Sequence, residues 1–337
     1  MKYHTKLTFK IFWQHVLKYK LAGFLVVFSI VAGSITNVIG PLIYKDFFDV
    51  LVGSADIATT SQLLIQIIFK VFIVYMIGWV FWRIATFSNS YFQTKIMADL
   101  ANTCFGYLHK HSFSFFQNNF VGSLVKKVNR FYRSFEGIAD ALTWELLPLV
   151  TQVVAITIVL GRRNYVLSLI IIGWTIIYCV INYFFSVYKL KYDVERSKMD
   201  TRVTGLLADT ITNYSNVKLL GGYKREREAF GVETGRLQKL RRFTWDLASI
   251  FESVQVLLMI FLEFGIFYFA IKLWVSGTIS VGDFVLIQAY LLTIFHKLWN
   301  FGKIIRHFYE RLADAEEMTI VLDAPHEIKD IDRKSVV

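Results

Sequence analysis

Few residues in this 337-residue chain pair a reactive side chain with a setting that forces it into use. Glu263 is the deepest of them. It falls inside the apolar run 247–271, where an ionised group at mid-helix in lipid costs at least about 2.5 kcal/mol. Such a carboxylate either contacts a cationic or polar ligand or pairs across the bundle with a residue such as Gln288. Arg83, at the end of the run 63–87, is the third polar candidate along a ligand path, although its length lets it snorkel to an interface. Candidate catalytic, cofactor-binding and metal-ligating residues are none. The chain contains no HExxH, no CxxC and no G-x-x-x-x-G-K-[ST] loop, so nothing in it is patterned to cradle nucleotide phosphates. Cys104 and Cys179 have neither disulfide nor metal spacing and read as thiols that simply pack.

These residues are placed by a chain that is 55% hydrophobic and 19% charged, with mean hydropathy +0.46. That is too little charge to cover a soluble surface, and the expected class is an all-α polytopic membrane protein. Six runs reach the roughly 20 residues needed to cross a bilayer: 21–44, 63–87, 138–160, 166–188, 247–271 and 281–301. The first is too long for the core of a cleavable signal. The third opens on Asp140 and Glu145, which must face an interface or protein. Thirty lysines and arginines fall on the side of the two termini and only Lys45, Arg162, Arg163 and Lys272 on the other. By the positive-inside rule both termini are expected in the cytoplasm. The net charge of +11 is accounted for by that bias, and nucleic acid is not needed as a partner.

The two inner intervals, 88–137 and 189–246, are too long for simple reversals. Neither has linker composition. Phe230, Leu237, Leu240, Phe243 and Leu247 fall on one helical stripe, so each interval reads as a helical extension of the spans. At about 25 residues an arm, the second would reach about 40 Å from the membrane. The first breaks at 112–123, where Phe113, Phe115 and Phe116 precede Gly122. These aromatics read either as core of a helix–turn–helix or as a short transverse helix pressing on a partner. The second turns near 209–218. Asp209 there suits the start of a short helix and Lys218 its end, with Ile211, Tyr214 and Val217 supplying apolar contact beside Asn213.

Five pieces in order now resemble the transmembrane half of the ABC exporters. They are Pro41-Leu-Ile-Tyr, the aromatic stretch Phe113 to Ser123, Asp209-x-x-x-Asn213-Tyr214-x-x-Val217-Lys218, Gly277-x-Ile279-x-x-Gly282-Asp283-Phe284-Val285, and Arg311 through Val321-Leu322-Asp323-x-Pro325. Leu220-Gly221-Gly222-Tyr223 departs from the aromatic-plus-acidic pattern usual there. The resemblance implies a basic elbow helix at 1–20, a six-helix domain at 21–302, and a connector at 303–337 leading towards an ATPase domain. That domain was either cut away or is a separate polypeptide. It implies two coupling helices, near 113–121 and 209–217, that dock on ATPase domains. A second exporter half would complete a homo- or heterodimer working by alternating access in the plasma (inner) membrane. ATP and Mg²⁺ would belong to the associated nucleotide-binding domain, so hydrolysis would be an activity of the complex. A non-transporting membrane scaffold or regulatory subunit with the same fold is the rival class. If Glu263 touches cargo, Glu263→Gln alters transport of some substrates and not others; equal rates across a substrate panel would return it to a structural role.

Overall fold

Backbone groups inside hydrocarbon can bond only within their own helix, and the computed structural model, which describes residues 2–53 and 57–327, is built accordingly. In order come α1 (Lys2–Val16), a 3-10 turn (Leu17–Tyr19), α2 (Lys20–Gly53), α3 (Ile57–Leu108), α4 (Phe113–Asn118) and α5 (Val121–Asp140). A π-helical turn (Ala141–Leu146) leads into α6 (Leu147–Arg163). The chain ends with α7 (Tyr165–Thr212), α8 (Tyr214–Leu219), α9 (Tyr223–Val275), α10 (Val281–Trp299) and α11 (Phe301–Asp323). Residues 328–337 of the expected connector lie outside the described residues. Each apolar run of the sequence falls inside one of six helical stretches long and apolar enough to cross a membrane. α3, α7 and α9 hold 52, 48 and 53 residues, more than twice what a crossing requires.

The helices form two compact units. The first contains the chain up to Leu169, Phe269–Asn300 and Ile304 onward. Within it α2 is central and packs on α3, α10 and α6. Small residues allow the approach: the α carbon of Gly33 lies under the Trp82 indole, and that of Gly78 faces Thr36. Near the chain ends, α1, α3, α5 and α11 share a core that also takes in Val26 and Ile30 of α2. Phe12 sits 5.0 Å from Phe131 and 5.4 Å from Phe135, with Ile96, Leu100, Leu312 and Met318 around them. Thr8 and Thr319, both buried, share a 2.7 Å hydrogen bond across this core.

Span three departs from the uniform helix expected of its run. Pro148 has no N–H to donate, and its ring would crowd the carbonyl four residues earlier in a regular helix. The π turn over Ala141–Leu146 widens the backbone just before it. Asp140, at the edge of this turn, accepts a 2.8 Å hydrogen bond from Gln93 Nε2, and Trp144 stacks on Trp82 at 6.1 Å. The acidic side chain at the start of the span thus faces protein.

Where α2 ends and α10 begins, the first unit closes on a polar cluster that the sequence left dispersed. Asp49 accepts hydrogen bonds from Lys45 Nζ at 2.6 Å, Ser280 Oγ at 2.9 Å and Gly282 N at 2.8 Å. Buried Asp283 accepts from Ser280 N at 2.8 Å and lies 3.6 Å from Arg163 Nε. Lys45 therefore meets a carboxylate one turn along its own helix, and Arg163 meets one from α10. Gly282 makes this contact: a Cβ there would collide with the Lys45 carbonyl oxygen and come within 2.7 Å of Asp49 Oδ1. Gly282→Ala should destabilise the chain by about 1–3 kcal/mol, the usual penalty for overpacking. A lowered midpoint of thermal unfolding in detergent checks this, and an unchanged midpoint would mean the helix ends separate freely.

The second unit, Ile170–Tyr268 with Phe301–Lys303, is an antiparallel pair made by α7 and α9. Ring and ion contacts follow its length. Phe185 and Phe251 stack at 3.7 Å, Tyr192 meets Phe243 edge-on at 5.0 Å, Arg241 bonds Asp200 at 2.8 Å, and Arg202 bonds Glu233 at 2.8 Å. Of the expected stripe, Leu237 is buried, Phe230, Leu240 and Leu247 are half-buried, and Phe243 is partly exposed against Tyr192.

Candidate functional site

Three places collect the residues singled out from the sequence. The first is α4. Its N-cap is Ser112, whose Oγ accepts from Phe115 N at 3.3 Å, one of the donors a helix start leaves unpaired. Asn119 ends it, its Nδ2 donating to the Phe115 carbonyl at 2.9 Å. The short helix therefore stops at Asn118, before the expected 121. The aromatics divide between an inward and an outward setting. Phe115 and Phe116 pack on the core of the first unit, whereas Phe113 points outward, 78% exposed. Phe120, not singled out from the sequence, is also exposed, and its ring lies where a Gly122 side chain would go.

The second place is the tip of the α7–α9 pair. α7 continues through Asp209 to Thr212 and breaks at Asn213, whose Nδ2 donates to the Asp209 carbonyl at 3.0 Å. Asp209 thus lies in the last turn of a long helix. It does not start the short helix as the dipole argument expected, because Asn213, which can bond its own backbone, supplies the break. Lys218 does occupy the last turn of α8, where a cation suits the helix end. Gly221, at φ +63°, and Gly222 then reverse the chain: Gly222 N donates to the Val217 carbonyl at 2.9 Å and Gly221 N to that of Lys218 at 3.3 Å, a Schellman closure. Ile211 and Tyr214 are exposed as expected, while Val217 is half-buried. Sequence reasoning missed Leu219, Leu220 and Tyr223, all exposed; large apolar residues flanking a Gly-Gly pair in a polar interval were the available signal.

The third place lies within the spans. Glu263 is half-buried in the second unit, Gln288 is half-buried in the first, and Arg83 is exposed. A connected polar set, unmarked by any charge, lies elsewhere in the second unit. Gln255 Nε2 donates to Tyr178 Oη at 2.9 Å and to Asn182 Oδ1 at 2.8 Å, and Asn182 Nδ2 donates to the Tyr178 carbonyl at 2.9 Å. All three are buried. Trp174 stacks on Tyr178 at 4.9 Å and donates to the Leu258 carbonyl at 3.0 Å. In lipid such bonds hold two helices in one register.

Six long apolar helices and two capped helical tips define a multi-pass helical membrane protein. The chain belongs to the family described as the ABC transporter transmembrane region, whose model matches residues 24–298. It is 24% identical over 237 residues to "ATM1-type heavy metal exporter" of Novosphingobium aromaticivorans, covering 69% of this chain and 38% of that protein. It is 23% identical over 240 residues to the human "Iron-sulfur clusters transporter ABCB7, mitochondrial", covering 68% and 31%. A solved structure of a bacterial Atm1-family ABC exporter with ATP bound shares the fold at TM-score 0.70 and 19% identity, over 93% of this chain and 55% of that one. The chain thus spans about a third of the length of these two curated relatives.

The positive φ of Gly221 makes it the most sensitive tip position. Gly221→Val should cost about 1–2 kcal/mol locally, the left-handed penalty for an L side chain. Faster hydrogen exchange at the α8 amides, with the α7–α9 pair below unchanged, is the expected readout.

Proposed function

We propose that this chain forms one half of the substrate pathway of an ATP-driven exporter, and that α4 and α8 pass the motion of ATPase domains into the spans. The observation that carries this is the form of the α8 tip. A six-residue helix is closed at both ends by Asn213 and Gly221, mounted on two cross-braced helices, and presents Ile211, Tyr214, Leu219, Leu220 and Tyr223 to solvent. Exposed apolar groups clustered on a stiff mount suit a protein socket better than water. From residue 189 to Thr212 the arm is about 36 Å long at 1.5 Å per residue, so a displacement at the tip can be carried as a rigid-body movement.

In this reading two such halves pair and alternate between inward- and outward-facing arrangements. Both termini lie in the cytoplasm, and the membrane is the plasma or inner membrane. ATP and Mg²⁺ are held by the ATPase domains that α4 and α8 meet. Phe113 and Phe120 are the docking side chains of α4, with Phe115 and Phe116 anchoring it from behind. Glu263 and Gln288 are the polar residues offered to cargo, and heavy-metal cargo, after which one relative is named, is the first class to assay.

Tyr214→Asp combined with Leu219→Asp tests the joint in vesicles containing the complex with its ATPase domains. Hydrolysis should persist while transport falls about tenfold or more, since coupling between sites commonly amounts to about 1–3 kcal/mol. Unchanged transport would remove α8 from the coupling path. Absence of ATP-dependent transport by the unaltered complex, across a substrate panel, would favour the scaffold class.

A further inference from the structure

At the far end of α11 the chain turns back on α3 and α4 through Ala324–Glu327. Tyr107 Oη donates to the Ala324 carbonyl at 2.7 Å, and His326 Nε2 lies 3.1 Å from the Tyr107 carbonyl. The Tyr107 and His326 rings are 4.3 Å apart. Glu327 then accepts hydrogen bonds from Ser112 Oγ and, at 3.3 Å, from Ser114 Oγ. Ser112 is the N-cap of α4, so the same hydroxyl that caps this helix is tied to the segment following α11. A carboxylate at a helix start also has favourable charge.

His111 fills the space between these parts. Its ring stacks on Phe115 at 3.9 Å and 13°, and lies 4.7 Å from the ring of His326. It is buried, and neither ring nitrogen has a hydrogen-bond partner. A neutral imidazole tolerates this stacked, dry position far better than an imidazolium, which would need its two N–H groups satisfied.

We propose that residues 324–327 are a releasable clasp on α4, closed while His111 is neutral and opened when His111 takes up a proton. The titratable groups around His111 are Tyr107 from α3 and His326 and Glu327 from the returning segment, while α4 contributes the uncharged Ser112 and Phe115. Burial holds the His111 pKa below the ordinary histidine value, His326 adds to the effect, and Glu327 opposes it. The closed state therefore binds fewer protons than the open one. Its stability is complete above the ordinary histidine value of about 6.5 and is lost as pH falls from there towards the lowered value. Cytoplasmic acidification would free α4 from the segment beyond α11, loosening one of the two short helices by which motion is passed. That consequence rests on the docking role proposed for α4; the clasp itself does not.

Hydrogen exchange of the full chain in lipid nanodiscs, corrected for the intrinsic pH dependence of exchange, reads the clasp directly. Protection of amides 107–118 should fall several-fold between about pH 7.5 and about pH 5.5, while α5 amides 131–139 stay protected. His111→Phe keeps the stack on Phe115 without a titrating group and should make protection of 107–118 independent of pH. Glu327→Gln should loosen the same amides at neutral pH. A flat wild-type profile, a pH-dependent His111→Phe profile, or unaltered protection in Glu327→Gln would each overturn the proposal. Because no transport is measured, the clasp can fail while α4 still docks, and docking can fail while the clasp stands.

Discussion

A backbone amide in hydrocarbon has no partner except the carbonyl one turn away, and everything else in this chain is arranged around that constraint. It makes helices of 48 to 53 residues the economical form, since a helix that must be continuous through the membrane can continue beyond it without a new nucleation cost. It also concentrates irregular backbone at a few sites. Within span three the only relief is a π turn ahead of Pro148. Outside the spans, the breaks at Ser112, Asn213 and Gly221 each carry a specific closing bond.

Polar side chains inside the units follow the same logic. Tyr178, Asn182 and Gln255 are uncharged, so burying them costs little once they bond one another, and the bonds lock the register of α7 against α9. The charged cluster of Lys45, Asp49, Arg163 and Asp283 is placed instead at helix ends, where Asp49 also accepts from the backbone of Gly282 at the start of α10. The helix start stabilises the carboxylate, and the carboxylate satisfies a donor the helix leaves open. Charges are thus found where backbone termini can share the cost of their burial.

The two tips differ in construction although both are six-residue helices. α4 is backed by a core: Phe115 and Phe116 pack inward, and the segment after α11 bonds its N-cap. Among the described residues α8 is carried by the α7–α9 pair, and more of its apolar surface is open. A helix held from behind can be released by changing its support, whereas a helix held only by its mount transmits whatever the mount does.

By itself the sequence determined the class, the six crossings and the position of both tips, because hydropathy, basic-residue bias and helical periodicity are local properties that lipid and water read directly. It also placed Lys218 correctly at a helix end and marked the Gly277–Val285 pattern. It could not show that Asp209 lies in the last turn of a long helix instead of opening a short one, because the dipole preference of an aspartate is weak and the break is set by Asn213. Nor could it show that Phe115 and Phe116 face inward while Phe113 faces out. That division depends on the core, built from several helices, against which Phe115 and Phe116 pack. The assembly of Lys45, Asp49, Arg163 and Asp283, and of Tyr178, Asn182 and Gln255, joins residues 73 to more than 200 positions apart. His111 meeting His326 is a contact of the same kind. Only packing brings such groups within bonding distance, so the tertiary structure alone decided which polar residues act together.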